Sequence, residues 1–122
     1  MTQPNFVLLY VASPTESAGF YAQLLARPPV ESSPTFAMFA LDSGTMLGLW
    51  AAHTVEPAAT AVGGAEVAFA VDGIETVKSM HASWGAKGLK IAQTPTGMDF
   101  GFTFVALDPD GHRLRVFAPS AA

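Results

Sequence analysis

The chain carries the same pattern twice. Glu66–Val71 repeats the character of Phe6–Val11 at an offset of about 60 residues, and Ala106–Phe117 (ALDPDGHRLRVF) answers Ala40–Trp50 (ALDSGTMLGLW) at an offset of 66–67. A repeat this long that occurs only twice describes two fused supersecondary modules, because a solenoid needs three or more stacked copies to bury its core. The growth of the offset places an insertion near Thr94 to Asp99.

Each copy reads as strand, helix and further strands. Phe6–Val11 (FVLLYV) is a short run of β-forming apolar residues. Ser13-Pro14-Thr15-Glu16 then signals a helix start, with Ser13 able to cap, Pro14 suited to the first helical position and Glu16 completing a capping box. Tyr21, Leu24 and Leu25 recur at helical spacing, and Arg27-Pro28-Pro29 stops the helix. Strands are predicted over Thr35–Leu41 and Thr45–Ala51, joined at Asp42-Ser43-Gly44. In the second copy Glu66–Val71 is a strand, Asp72-Gly73-Ile74-Glu75 repeats the capping spacing, and Val77, Met80 and Trp84 mark a buried helix face that ends at Gly88. Strands follow over Leu89–Gln93, Phe102–Leu107 and His112–Phe117. Asp108-Pro109-Asp110-Gly111 joins the last two, with proline second and glycine fourth as a type I turn prefers. The reading is an α+β chain of two βαβββ modules in one domain, 1–122, with module one at 5–52, a Pro- and Gly-containing linker at 53–64 and module two at 65–118.

Composition narrows the function. Without cysteine there are no disulfides and no thiolate chemistry. Six scattered basic residues and a net charge of -4 argue against nucleic acid as a partner. No apolar run approaches the ~20 residues of a membrane span, and Met1 to Asn5 has no basic stretch of the kind that opens a signal peptide, so a cytoplasmic location is expected. Charged residues make up only 13% of a chain that is 50% hydrophobic, against about 25% charged in an ordinary soluble domain. The apolar excess belongs in a pocket, a subunit interface or both.

The order of V-x-S/D-P early, Phe20-Tyr21 after it and DPDGHRLRV late resembles the vicinal-oxygen-chelate superfamily, the glyoxalase, bleomycin-resistance and dioxygenase fold, over essentially the whole chain. The resemblance implies half-open sheets that enclose a cavity, often across a swapped homodimer. It also implies four strand positions that hold metal ligands in the family's enzymes. Counted from Phe20-Tyr21 and the DPDG turn, those positions here are Phe6, Gly48, Glu66 and Arg115. Only Glu66 could ligate a metal, since Phe6 and Gly48 offer no donor and Arg115 is a fixed cation. A catalytic metal wants about three protein ligands, so neither metal nor other cofactor is expected. Within the family the chain looks most like antibiotic-binding members that take phenazine-type compounds, through Leu8 to Val11, Arg27 to Val30, Leu49-Trp50 and Asp108 to Val116. There an aromatic ligand stacks on the tryptophan matching Trp50.

Strand alternation gives a residue-level expectation. If Glu66 and Arg115 face the cavity, the repeat brings Met46, Gly48 and Trp50 to the same side, with Phe6, Leu8 and Tyr10 from the first strand. Phe36, Met38, Phe102 and Phe104 are further candidates, and His53 could rim the pocket. A plain core role is the alternative for Trp50 and the favoured one for Met46, and Trp84 is read as core. The expected function is binding and sequestration of a planar aromatic small molecule by a homodimer. Two alternatives stand beside it. One is a metal-independent isomerase or lyase using Glu66 as base with Arg115 at a developing oxyanion. The other is a dimeric module whose pocket serves as an interaction surface. Glu66 and Arg115 could also pair where a metal would lie; losing one partner of such a pair costs roughly 3–5 kcal/mol if the site is dry.

Overall fold

The computed structural model describes residues 3–61 and 65–120. The chain divides into two compact units, residues 1–62 and 63–122, with the division inside the stretch expected to be a linker. The expected linker residues 62–64 lie outside the described residues.

In the first unit, the apolar run Phe6–Val11 is strand β1. Helix α1, Pro14–Leu25, starts where the capping signal put it: Pro14 is its first residue and the Ser13 side chain accepts a hydrogen bond from the Glu16 amide. It ends on Ala26, whose left-handed backbone (φ 55°) breaks the helical ladder just before Arg27. The strands Glu31–Ser32 (β2), Phe36–Ala40 (β3) and Met46–Ala51 (β4) complete the module. The sheet order is β1-β4-β3-β2, with β1 parallel to β4 and the other pairs antiparallel. Helix α1 packs on β3 and β4. Val11, Tyr21, Ala37, Phe39, Leu49 and Ala51 are fully buried there.

The second unit has the same topology. Strand β5, Glu66–Ala70, leads to helix α2, Ile74–Ala86, and then to β6 (Lys90–Met98), β7 (Gly101–Leu107) and β8 (Arg113–Pro119). The order β5-β8-β7-β6 reproduces that of the first sheet, including the parallel outer pair. Two expectations shift. Gly73 is the N-cap of α2 and has no side chain to offer, while Asp72 accepts instead from the Thr76 hydroxyl. The expected insertion at Thr94 to Asp99 is a continuation of β6 to Met98, made possible by register irregularities between Ile91 and Thr96. The hairpin that results needs Gly101 in particular. Its φ is +151°, and a Cβ there would run into the Ala118 carbonyl on β8. The turn at Asp108 closes as expected, with the Gly111 amide donating to the Asp108 carbonyl at 3.0 Å. Trp84 is core: its ring meets Phe69 and Phe104 edge-on at 5.5 and 5.4 Å under α2.

Candidate functional site

Each sheet buries one face under its helix, and the other face carries a second set of side-chain rows. On the first sheet, β4 lies between β1 and β3, and the pairing aligns side chains in rows: Tyr10, Trp50 and Phe36; Leu8, Gly48 and Met38; Phe6, Met46 and Ala40. These rows alternate with the buried residues under α1, so they point away from the helix. Gly48 forms the floor. A Cβ built there would meet Leu8 Cδ2 at 2.7 Å, Phe6 Cε1 at 2.9 Å and Phe36 Cζ at 3.1 Å, all of them ends of side chains that lean over the glycine. An open groove of about 410 Å³ runs beside them, lined by Phe6, Leu8, Phe36 and Trp50. The Tyr10 ring meets the Trp50 indole edge-on, with centroids 6.2 Å apart and planes at 83°, and steadies the indole as one wall. Phe6, Val7, Leu8 and Tyr10 are each more than 40% exposed. Strand β1 is also the edge of its sheet, and an apolar edge of this kind marks a place where something else binds.

The second sheet presents a different surface. Its rows on the open side are Glu66, Arg113, Leu107 and Lys90, then Ala68, Arg115, Val105 and Gln93, then Ala70, Phe117 and Thr103. Arg115 Nε donates to Glu66 Oε1 at 2.8 Å and Nη2 donates to Oε2 at 3.0 Å, a two-pronged ion pair. Arg115 Nη1 donates to Gln93 Oε1 at 3.3 Å and to the Thr103 hydroxyl at 3.1 Å. Phe100 stacks against the guanidinium at 5.5 Å and meets Phe117 edge-on. The hydrogen bonds from Arg115, chief among the causes, hold the Glu66 carboxyl below the ordinary carboxylate pKa. A carboxylate that serves as a general base near neutral pH needs the opposite shift. The pair is not dry: the two side chains keep 17% (Arg115) and 28% (Glu66) of their surface exposed.

The two modules thus treat matching positions in matching ways. Phe6 leans diagonally onto Gly48, and Glu66 leans diagonally onto Arg115. This donor set does not fit the metal of the family's enzymes. Both Glu66 oxygens are taken by Arg115, and the other three positions offer no ligand.

Several expected site residues stand on the groove face, namely Tyr10, Phe36, Met38, Met46, Gly48 and Trp50. Phe102 and Phe104 do not stand on an open face. Phe104 is fully buried against Trp84 and His81, and Phe102 lies beneath Lys78 of α2. The reason is register. The offset of 67 that carries Gly48 onto Arg115 also carries Phe36 onto Thr103 and Met38 onto Val105, so the odd-numbered residues of β7 stand on the face away from α2, where Thr103 and Val105 are themselves buried. The same offset would have found Thr103 and Val105, which the sequence reading missed. Gln93 and Phe100 left no comparable signal. His53 sits exposed in the short 3-10 turn Ala52–Thr54 that follows β4 and does not line the groove.

Comparison with known proteins agrees with this architecture. The phenazine antibiotic resistance protein EhpR of Enterobacter agglomerans is 28% identical over 116 residues, which span 93% of this chain and 89% of that protein. The solution structure of protein ATC0852 from Agrobacterium tumefaciens is 51% identical and superposes with a TM-score of 0.90, covering 99% of this chain and all of that one. A glyoxalase-related enzyme from Fulvimarina pelagi, 20% identical, shares the fold with a TM-score of 0.82 over 97% of this chain and 88% of its own. Residues 3–116 match the sequence pattern of one family, and with the doubled βαβββ topology this establishes that the chain belongs to the Glyoxalase/Bleomycin resistance protein/Dioxygenase superfamily.

Proposed function

We propose that this protein binds and sequesters a planar aromatic small molecule, an antibiotic or a metabolite, by stacking it on Trp50 in the groove of the first sheet, without a metal. The groove itself carries the reading. A flat ligand needs a flat wall and room beside it, and the Trp50 indole with the open groove along Phe6, Leu8 and Phe36 offers both, those three side chains covering Gly48 beneath them. Phe6, Leu8 and Phe36 supply the apolar remainder, the usual make-up of a small-ligand site. The similarity to a phenazine resistance protein supports the ligand class. The lowered Glu66 pKa weighs against the enzymatic alternative. The exposed apolar edge at β1 supports self-association into a homodimer. Among the described residues no helix is long and apolar enough to cross a membrane; a cytoplasmic location is part of the proposal.

The test is to identify small molecules retained on the purified protein by mass spectrometry, then to titrate the retained compound or a phenazine while following tryptophan fluorescence. The proposal expects saturable quenching that persists in Trp84→Phe, because Trp84 is buried under α2. Quenching lost in Trp84→Phe, or no binding by any tricyclic aromatic, would overturn it.

A further inference from the structure

The open face of the second sheet has an uneven charge distribution. The chain has six basic residues and ten acidic ones. Three of the six, Lys90, Arg113 and Arg115, nevertheless stand in two adjacent rows of this one face, with Glu66 as the single acid among them. Glu66 is shared between two cations: it is the row partner of Arg113 and the ion-pair partner of Arg115. One carboxylate cannot neutralise both arginines and Lys90 as well. Two further acids, Asp108 and Asp110, belong to the β7–β8 turn, where Asp108 is buried and accepts the amides of Asp110 and His112.

The donors are arranged unequally. Arg115 spends four of its N–H bonds on Glu66, Gln93 and Thr103, which locks its position. Arg113 interacts with Glu66 through charge alone, with no hydrogen bond or ion-pair contact among the described residues, so its N–H donors are left for a ligand. Both arginines border a hollow of about 250 Å³ with Ala92, Gln93 and Val105. Next along β8 lies an apolar aromatic corner, Phe117 with Phe100, in contact with the Arg115 guanidinium.

We infer that this face is a binding site for a small aromatic carboxylate. The carboxylate takes the free fork of Arg113, with Lys90 in the same row. The ring enters the hollow that Ala92, Gln93 and Val105 line beside Arg115. A planar guanidinium matches a carboxylate in two parallel hydrogen bonds, which a point charge cannot do. The locked Arg115 adds positive potential without having to reorganise. This inference is independent of the Trp50 groove, and its readout lies on the second sheet alone.

The experiment is a titration of the isotope-labelled protein with benzoate, benzamide and inorganic phosphate, followed by the amide resonances of Gln93, Thr103, Val105 and Arg113. Benzoate should shift these amides to saturation, benzamide should not, and phosphate should bind more weakly than benzoate because it has no ring to place. Arg113→Gln should weaken benzoate about tenfold or more, the loss of a charge-assisted fork. Lys90→Gln should weaken it less. Both positions are exposed and outside the Glu66–Arg115 pair, so the spectra of the free variants should match the parent away from the substitution. Equal shifts with benzoate and benzamide, benzoate binding unchanged in Arg113→Gln, or phosphate binding as tightly as benzoate would each overturn the assignment.

Discussion

Replacing Glu66 by glutamine tests whether the second sheet is held by an ion pair. The substitution keeps the shape and removes the charge, leaving Arg115 with Gln93 and Thr103 as partners. Fully exposed pairs contribute about 0–1 kcal/mol, and losing one partner of a dry pair costs about 3–5 kcal/mol. The Glu66–Arg115 pair has two short hydrogen bonds and side chains 28% and 17% exposed, so it falls between these limits. We expect a coupling of about 1–2 kcal/mol. The assay is a double-mutant cycle in urea with Glu66→Gln, Arg115→Met and the combined variant, where the combined loss should fall short of the sum by that amount. The pH dependence has a definite sign. The folded pKa of Glu66 lies below its ordinary value of 4.5. The pair's contribution is therefore fully present above that value and is lost as pH falls through the folded pKa. In Glu66→Gln that part of the acid destabilisation should be missing. Additivity within about 0.5 kcal/mol would refute the coupling, and so would an acid profile unchanged by the substitution.

Other consequences follow from the same geometry. Gly48→Val should push the ends of Leu8, Phe6 and Phe36 into the groove and weaken aromatic binding; stability should change by no more than about 1–2 kcal/mol, because the atoms it meets are the movable ends of those side chains. Urea unfolding and ligand titration of that variant check both halves. Light scattering at micromolar concentration should give a dimer mass, with β1 in an apolar interface of at least ~1,000 Å² in total; a monomer mass contradicts it. Stoichiometric zinc, nickel or iron(II) should leave the melting temperature unchanged, and a rise of several degrees would overturn the metal-free reading.

The fold was legible because the sequence repeats itself. The capping signal at Ser13, the strand Phe6–Val11 and the alternation of Leu114 and Val116 with Arg113 and Arg115 are local features. The offset then tied the two copies together residue by residue, so that Leu8 beside Gly48 matches Ala68 beside Arg115. Of the candidate site, the first sheet was legible for the same reason. The misplacement of Phe102 and Phe104 shows where pattern reading stops. In β7 aromatic residues occupy the helix-facing side, and composition alone cannot tell an aromatic that lines a groove from one that fills a core. The Gln93 contact was out of reach because it depends on irregular pairing in β6, which leaves no periodic trace.

The central claim is that Trp50 is the platform for an aromatic ligand. Stacking adds about 0.5–1.5 kcal/mol beyond burial, and with burial at ~25 cal/mol per Å² truncation should cost roughly 2–4 kcal/mol. Calorimetric titration of the parent, Trp50→Phe and Trp50→Ala with a phenazine or similar tricyclic measures this directly. The account predicts affinity weakened about 30- to 1,000-fold in Trp50→Ala and partly kept in Trp50→Phe. Binding by Trp50→Ala within about threefold of the parent, a difference under about 1 kcal/mol, would make Trp50 a packing residue and remove the site from the first sheet.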